Sequence, residues 1–372
     1  MRRETDSANL GCGATASNVR ASSRRGVTLF ATAAGMTVFI GMLGLTADLS
    51  RMYIVKNELQ TFVDAAALVA AYELDGTTQG ISTARSIATS GPNGASSPNR
   101  WHFSTQLVSA PEVSFAQTLA GTYQANPATG SGYRFVRVTT TANLPLYFLR
   151  VFPGVPNSKS ISSSATAGQG KETSIGEGVA PFSPDAHIAD KAQEFGFTRG
   201  QMYDLKWAPP GQRKKAGGVC TGDVGFTPGG GSSNRGYIDI GQGNGNSALR
   251  DAIVNMDYHL AEPLSEGTAI DHVQGNKHVG PALEERFYQD TDTTAADYAH
   301  YSGNGRRVLV VPVNNAGSPA LVVGFAQFFL RPGSWNNNND PVCGEYIGPA
   351  LEGAAKPGAG APGDLYKVKL FR

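Results

Sequence analysis

Few residues of this 372-residue chain are spaced for chemistry. The most enzyme-like run is Gly241-Gln242-Gly243-Asn244-Gly245, between a predicted strand ending at Ile240 and a predicted helix from Asn246. Glycines there would let backbone N–H groups approach a pyrophosphate at a helix N-terminus. The fingerprint needs a further glycine where Asn246 stands, and no clear acidic partner follows, so an ordinary strand-to-helix turn is the better reading. Asp271-His272 and His278 offer metal-ligand types, but there is no H-E-x-x-H and no helical pair of histidines four apart. Asp290-x-Asp292-x-Thr294 with Asp297 begins like a calcium loop, lacks the central glycine and the terminal glutamate, and reads as solvated acids flanking a helix. No G-x-S-x-G, S-x-x-K or P-loop occurs, so neither a nucleophile elbow nor a phosphate cradle is visible. No catalytic, metal or cofactor-binding residue is therefore expected. Because a triad needs no local spacing, an exported, membrane-tethered hydrolase using His259, Asp271, His272 or His278 stays open as the rival reading.

The elements that would position any site begin with the apolar segment Gly26 to Ala47, 22 residues without a charge. At about 1.5 Å per residue it is long enough to cross a hydrocarbon core of about 30 Å as a helix. Arg24 and Arg25 lie directly against it, with Arg2, Arg3 and Arg20 before them, whereas Asp48, Arg51, Lys56 and Glu58 follow it. The excess of arginine places residues 1–25 in the cytoplasm and everything after about residue 48 on the exported side. A cleaved signal peptide shares this layout, but its apolar core is shorter and the helical pattern would not continue past it. Here it does continue. Met52, Val55, Leu59, Phe62, Ala66 and Val69 recur at steps of three and four, and Asp75-Gly76 supplies a stop. This stripe either packs on the chain's own exported domain or joins other subunits, a homo-oligomer included. Gly35, Gly41 and Gly44 leave a thin-walled helix for another membrane helix, or simply reflect membrane-helix composition.

Composition excludes several classes. Lys+Arg 31 against Asp+Glu 30 leaves a net charge of +1 and no electrostatic footprint for nucleic acid. A mean hydropathy of -0.22 excludes a multi-pass membrane protein. From Trp101 the period becomes two, with predicted strands at 112–116, 133–139, 160–162, 237–240, 307–313, 320–330 and 366–370, and predicted helices lie at 81–90, 246–260 and 281–289. The fold class is α+β: a long N-terminal transmembrane helix continuing into an exported, loop-rich, mainly antiparallel β head with a few short helices. Expected regions are a cytoplasmic basic segment 1–25, the helix 26–75, a small exported unit 76–170, and a second exported unit 171–372 after a Gly-rich stretch. Cys12 falls on the cytoplasmic side. Cys220 and Cys343 are an exported pair, either a disulfide closing a loop worth about 4–5 kcal/mol or two buried thiols.

Arg24-Arg25-Gly26, the run Gly44 to Tyr53 and the run Asn57 to Ala71 together resemble TadG-like and TadE-like proteins of Flp, or tight-adherence, pilus assembly. The motif is carried by Asp48, Leu59, Gln60, Asp64, Ala65 and Ala66, with a weaker likeness at 136–139, 144–148 and 162–167. The resemblance implies a single-pass inner-membrane component of pilus assembly, secretion or adhesion, without enzymatic activity or cofactor, whose partners are the membrane and other pilus-assembly or pilin-like proteins. A minor pilin-like subunit is the alternative. Ala31 stands where processed pilins carry glutamate, five residues after Gly26, which counts against processing at Arg25-Gly26. No Asp-x-Ser-x-Ser motif is present, so the metal-dependent adhesive module of many TadG proteins is not implied.

Overall fold

A computed structural model describes residues 22–90, 107–151, 154–207, 213–215, 220–222, 226–228, 234–243, 245–275, 277, 279–333, 335, 341–354 and 356–371. Cys12, His278 and most of the basic segment lie outside these residues, and of Arg24 and Arg25 only the backbone is described. The chain has the expected α+β fold: one long N-terminal helix, then mainly antiparallel strands with a few short helices. It divides into two units, Met1–Ile54 with Leu144–Lys159, and Val55–Asn143 with Ser160–Arg372.

The long helix, α1 (Ser22–Tyr72), has 51 residues and no proline to interrupt it. Among the described residues it is the single helix long and apolar enough to cross a membrane, and none of its apolar window is buried by the protein. The hydroxyls inside that window find partners within the helix. Thr37 and Thr46 donate to the carbonyls of Ala33 and Met42, each at 2.9 Å. Also in the first unit, the chain leaves a strand at Pro145 and makes a 3-10 turn at Leu149–Val151, and Leu146 N–H donates to Asn157 O at 2.9 Å.

In the second unit the last turns of α1 lie on a nine-stranded sheet. Its strands are β1 (Leu107–Val108), β2 (Glu112–Ala116), β3 (Phe135–Pro145), β4 (Ser158–Glu172), β5 (Met202–Asp204), β6 (Val308–Asn314), β7 (Val322–Leu330), β8 (Cys343–Leu351) and β9 (Leu365–Phe371). The order is β1-β3-β4-β9-β8-β7-β6, with β2 on β3 and β5 on β8. The pairs β1–β3, β2–β3, β4–β9, β5–β8, β6–β7 and β7–β8 are antiparallel, and β8 with β9 is parallel. The expected boundary at residue 170 falls inside β4, and the sheet takes strands from both sides of it. Ala66, Ala67, Ala70 and Ala71 are small enough to bring α1 close to Val113, Val136, Val138 and Ala167. A helix α2 (Thr78–Ser90) follows the predicted stop, where Gly76 takes φ +82. The opposite half of the core packs α3 (Asn246–Val254) and α4 (Gly280–Tyr288, Pro281 in its first turn) against Leu309, Val311, Phe328 and Tyr346. Pro312 lies on β6, the end strand of the order, as its missing N–H requires.

Three local expectations are corrected. The helix expected over 246–260 stops at Val254, because Asn255 caps it and a turn sends His259–Ser265 to pair with Ser174–Glu177. The short strand expected at 160–162 is β4, which runs through the Gly-rich segment expected to be a linker. Gly168 is needed there, since a Cβ would lie 2.3 Å from the Phe135 ring. The strand β8 was not expected at all. Gly344, Gly348 and Pro349 hide its alternation, although it is buried on nearly its whole length.

Candidate functional site

The chain's most unusual polar arrangement among the described residues is in the first unit, one residue beyond the apolar segment. Asp48 is fully buried. A carboxylate taken out of water costs several kcal/mol unless it is matched by donors. Asp48 is matched by backbone: Oδ1 accepts from Tyr147 N–H at 3.1 Å, and Oδ2 from Phe148 N–H at 3.0 Å and Leu149 N–H at 2.8 Å. Three successive N–H groups pointing at one carboxylate is the arrangement of an anion nest, here filled by the chain's own side chain. Arg51, one turn further along α1, donates from Nη1 to Pro145 O at 3.0 Å and lies over the Tyr147 ring at 4.2 Å. Its distance to Asp48 is 4.0 Å, so it neutralises the carboxylate only loosely and works mainly as a clamp on the loop.

Close approach is made possible by Gly44. A Cβ on Gly44 would lie 2.5 Å from the Cβ of Phe148, so only glycine lets the loop rest on that face of the helix. Gly35 has nothing within 4 Å and remains the open part of the small-residue face. Residues 44, 48 and 51 thus form one helical edge, read by residues 145–149, which are the two stretches singled out separately in the sequence. The arrangement binds and positions; it holds no group placed to move a proton or attack a bond.

The other motif residues lie in the second unit and are structural. Val55, Leu59, Phe62 and Ala66 are buried in the chain's own head, Val69 is half-buried, and Met52, in the first unit, is half-buried as well. The stripe therefore packs on its own domain, and the surface it would have offered to other subunits is used. On the next face Lys56 Nζ donates to Ser162 O at 2.5 Å, and Gln60 Nε2 to Asp64 Oδ1 at 2.7 Å and Ser164 O at 3.4 Å. Positions four apart on the helix thus meet carbonyls two apart on β4, the match expected of a helix laid along a strand.

Cys220 and Cys343 form a disulfide with a Cα–Cα distance of 5.7 Å. The residues of the rival hydrolase are not gathered. His259 is 79% exposed and lies 3.3 Å from Glu177, whereas Asp271 and His272 belong to another two-stranded pairing, opposite Asp239 and Ile238. Among the described residues no three His, Cys, Asp or Glu side chains are grouped as metal ligands. The Gly241 turn closes on itself: Gln242 Oε1 accepts from Ile240 N–H at 2.7 Å and its Nε2 donates to Ile238 O at 3.0 Å. Asp290 is not solvated, as expected, but buried, accepting from the Tyr301 hydroxyl at 2.5 Å and Arg307 N–H at 3.0 Å.

Sequence reasoning missed the buried polar staples. Gln169 donates to the carbonyls of Ala71 and Leu74 at 3.0 and 2.5 Å, closing the C-terminus of α1, and accepts from Ala359 N–H at 2.8 Å. Arg286 and Arg307 are buried and each donates to three backbone carbonyls; burial lowers Arg286 to about 10. A lone glutamine or arginine carries no periodic signal, so nothing in the sequence could have singled these out.

A family described as putative Flp pilus-assembly TadE/G-like matches residues 26–73. The match covers the apolar segment, Asp48 and the whole stripe, and ends one residue beyond α1. No curated protein and no solved structure matches the chain.

Proposed function

We propose that this chain is a non-enzymatic, single-pass inner-membrane component of an Flp-type pilus assembly system, with residues 1–25 in the cytoplasm, Gly26 to Ala47 across the membrane and the chain after about residue 48 outside, acting through protein–protein contacts. The observation that carries the reading is the coincidence of the pilus-assembly match at 26–73 with one uninterrupted helix whose first part is bare and apolar and whose second part is built into a β head. The buried stripe favours an anchor fixed to its own head over an exchangeable filament subunit. Partners then meet the exposed face of the membrane segment or the surface of the head.

Affinity purification of the full chain from membranes in mild detergent tests this. Other pilus-assembly proteins co-purify on this reading. Recovery of the chain from the soluble fraction, or from membranes without any pilus-assembly protein, would overturn it.

A further inference from the structure

The loop held by Asp48 presents its backbone to the carboxylate, buries Leu146, and leaves Tyr147 and Phe148 partly open. Tyr147 and Phe148 are each 48% exposed, and Tyr53 on the adjoining stretch of α1 is 69% exposed. Large aromatic side chains left in water are costly, and tyrosine and phenylalanine at the end of an apolar helix are what a membrane–water boundary collects. Depth is set by the contact with Gly44. That glycine lies three residues before the end of the uncharged segment, so Phe148 sits about 4–5 Å inside it at 1.5 Å per residue. The loop's charge is one-sided: residues 144–159 contain Arg150 and Lys159, both exposed, and no acidic residue. The one carboxylate nearby, Asp48, is buried, its oxygens taken up by three N–H groups, and Arg51 lies 4.0 Å from it.

We infer that residues 147–150 are a second membrane attachment, an aromatic and basic loop lying in the headgroup region of an anionic lipid leaflet beside the spanning helix. The occupant of this surface is lipid because the exposed rings are continuous with the apolar face of α1 and the flanking charges are complementary to anionic headgroups. Asp48 then has a definite task, turning a polar backbone corner into a unit that tolerates that depth. The inference rests on reading Gly26 to Ala47 as a membrane span, and the test separates the two.

The full chain carrying Cys12→Ser is given one further cysteine, at Tyr147→Cys, Phe148→Cys or, within the span, Thr46→Cys. Each is labelled with an environment-sensitive fluorophore and reconstituted into phosphatidylglycerol–phosphatidylcholine vesicles, with lipid nitroxides placed near the headgroup or near the chain end. Intact Cys220–Cys343 linkage, read by gel mobility, checks folding, and the Tyr147 site does not depend on the Gly44 contact. The probes at 147 and 148 are expected to be quenched by the headgroup-level nitroxide, and Arg150→Glu to reduce that quenching by about half. Quenching at 46 with none at 147 and 148 overturns the loop attachment alone. No quenching at 46 overturns the span, and the loop attachment with it.

Discussion

The Oδ2 atom of Asp48 accepts the backbone N–H of Leu149 at 2.8 Å, although the two residues are 101 positions apart. This bond ties the middle of α1, just past its apolar segment, to a loop that the sequence places in a different region. Asp48→Ala removes the acceptor for three N–H groups at once and should destabilise the loop by about 2–4 kcal/mol, at roughly 1 kcal/mol or more for each donor. Limited trypsin digestion reads it, because Arg150 is exposed at the loop's tip. Cleavage after Arg150 should accelerate strongly in the variant and only moderately in Asp48→Asn, which keeps one acceptor.

Gly44 and Gly35 are both glycines of the apolar segment but differ in what faces them. Gly44→Leu should push Phe148 off the helix, loosen the loop and speed cleavage after Arg150 as Asp48→Ala does, while Gly35→Leu should leave the digestion pattern unchanged. Equal effects at the two positions would show that the loop does not rest on Gly44.

Gln169→Leu keeps the volume and removes the closure of α1. The carbonyls of Ala71 and Leu74 and the N–H of Ala359 then lose their partner inside the core, at a cost of about 2–4 kcal/mol. A lowered thermal midpoint of the detergent-solubilised chain, with the loop at Arg150 still protected, is the expected result.

Reduction of the Cys220–Cys343 bond opens a loop of 123 positions. On the chain-entropy model this removes about 4–5 kcal/mol from the head, so denaturant midpoints with and without reductant should separate clearly. Cys220→Ser should abolish the difference.

Asp292 accepts Ser302 N–H first of all, then Ala295 N–H and the Thr294 hydroxyl and N–H, which holds its carboxyl at about 2. A carboxyl lowered by folding contributes stability that is complete above its ordinary value near 3.8 and is lost as pH falls through about 2. Between those values the wild type should weaken with acid more steeply than Asp292→Asn, as followed by circular dichroism at fixed denaturant.

What could be read from the sequence was whatever repeats. An uncharged run of helix-spanning length, the stripe from Met52 to Val69 and the alternation at 307–313 and 320–330 are periodic signals, and α1, β6 and β7 answer them. The stripe's partner was left open because periodicity shows that a face is buried, not by what. The site at Asp48 was half legible: Asp48 and residues 144–148 were both singled out, but nothing local says that a carboxylate will meet a backbone corner about 100 residues later. Gln169 and Arg307 were invisible for the same reason, since their partners are main-chain groups, which every residue carries. Strand β8 was hidden because Gly344, Gly348 and Pro349 erase the pattern that its burial would otherwise have written.

The most direct test of the account is surface piliation in a strain lacking this chain, counted by electron microscopy and complemented in trans. The account predicts that pili are lost, that the wild-type chain restores them, and that Asp48→Ala restores fewer although it accumulates in the membrane to the same level. Normal piliation in the deleted strain would contradict it.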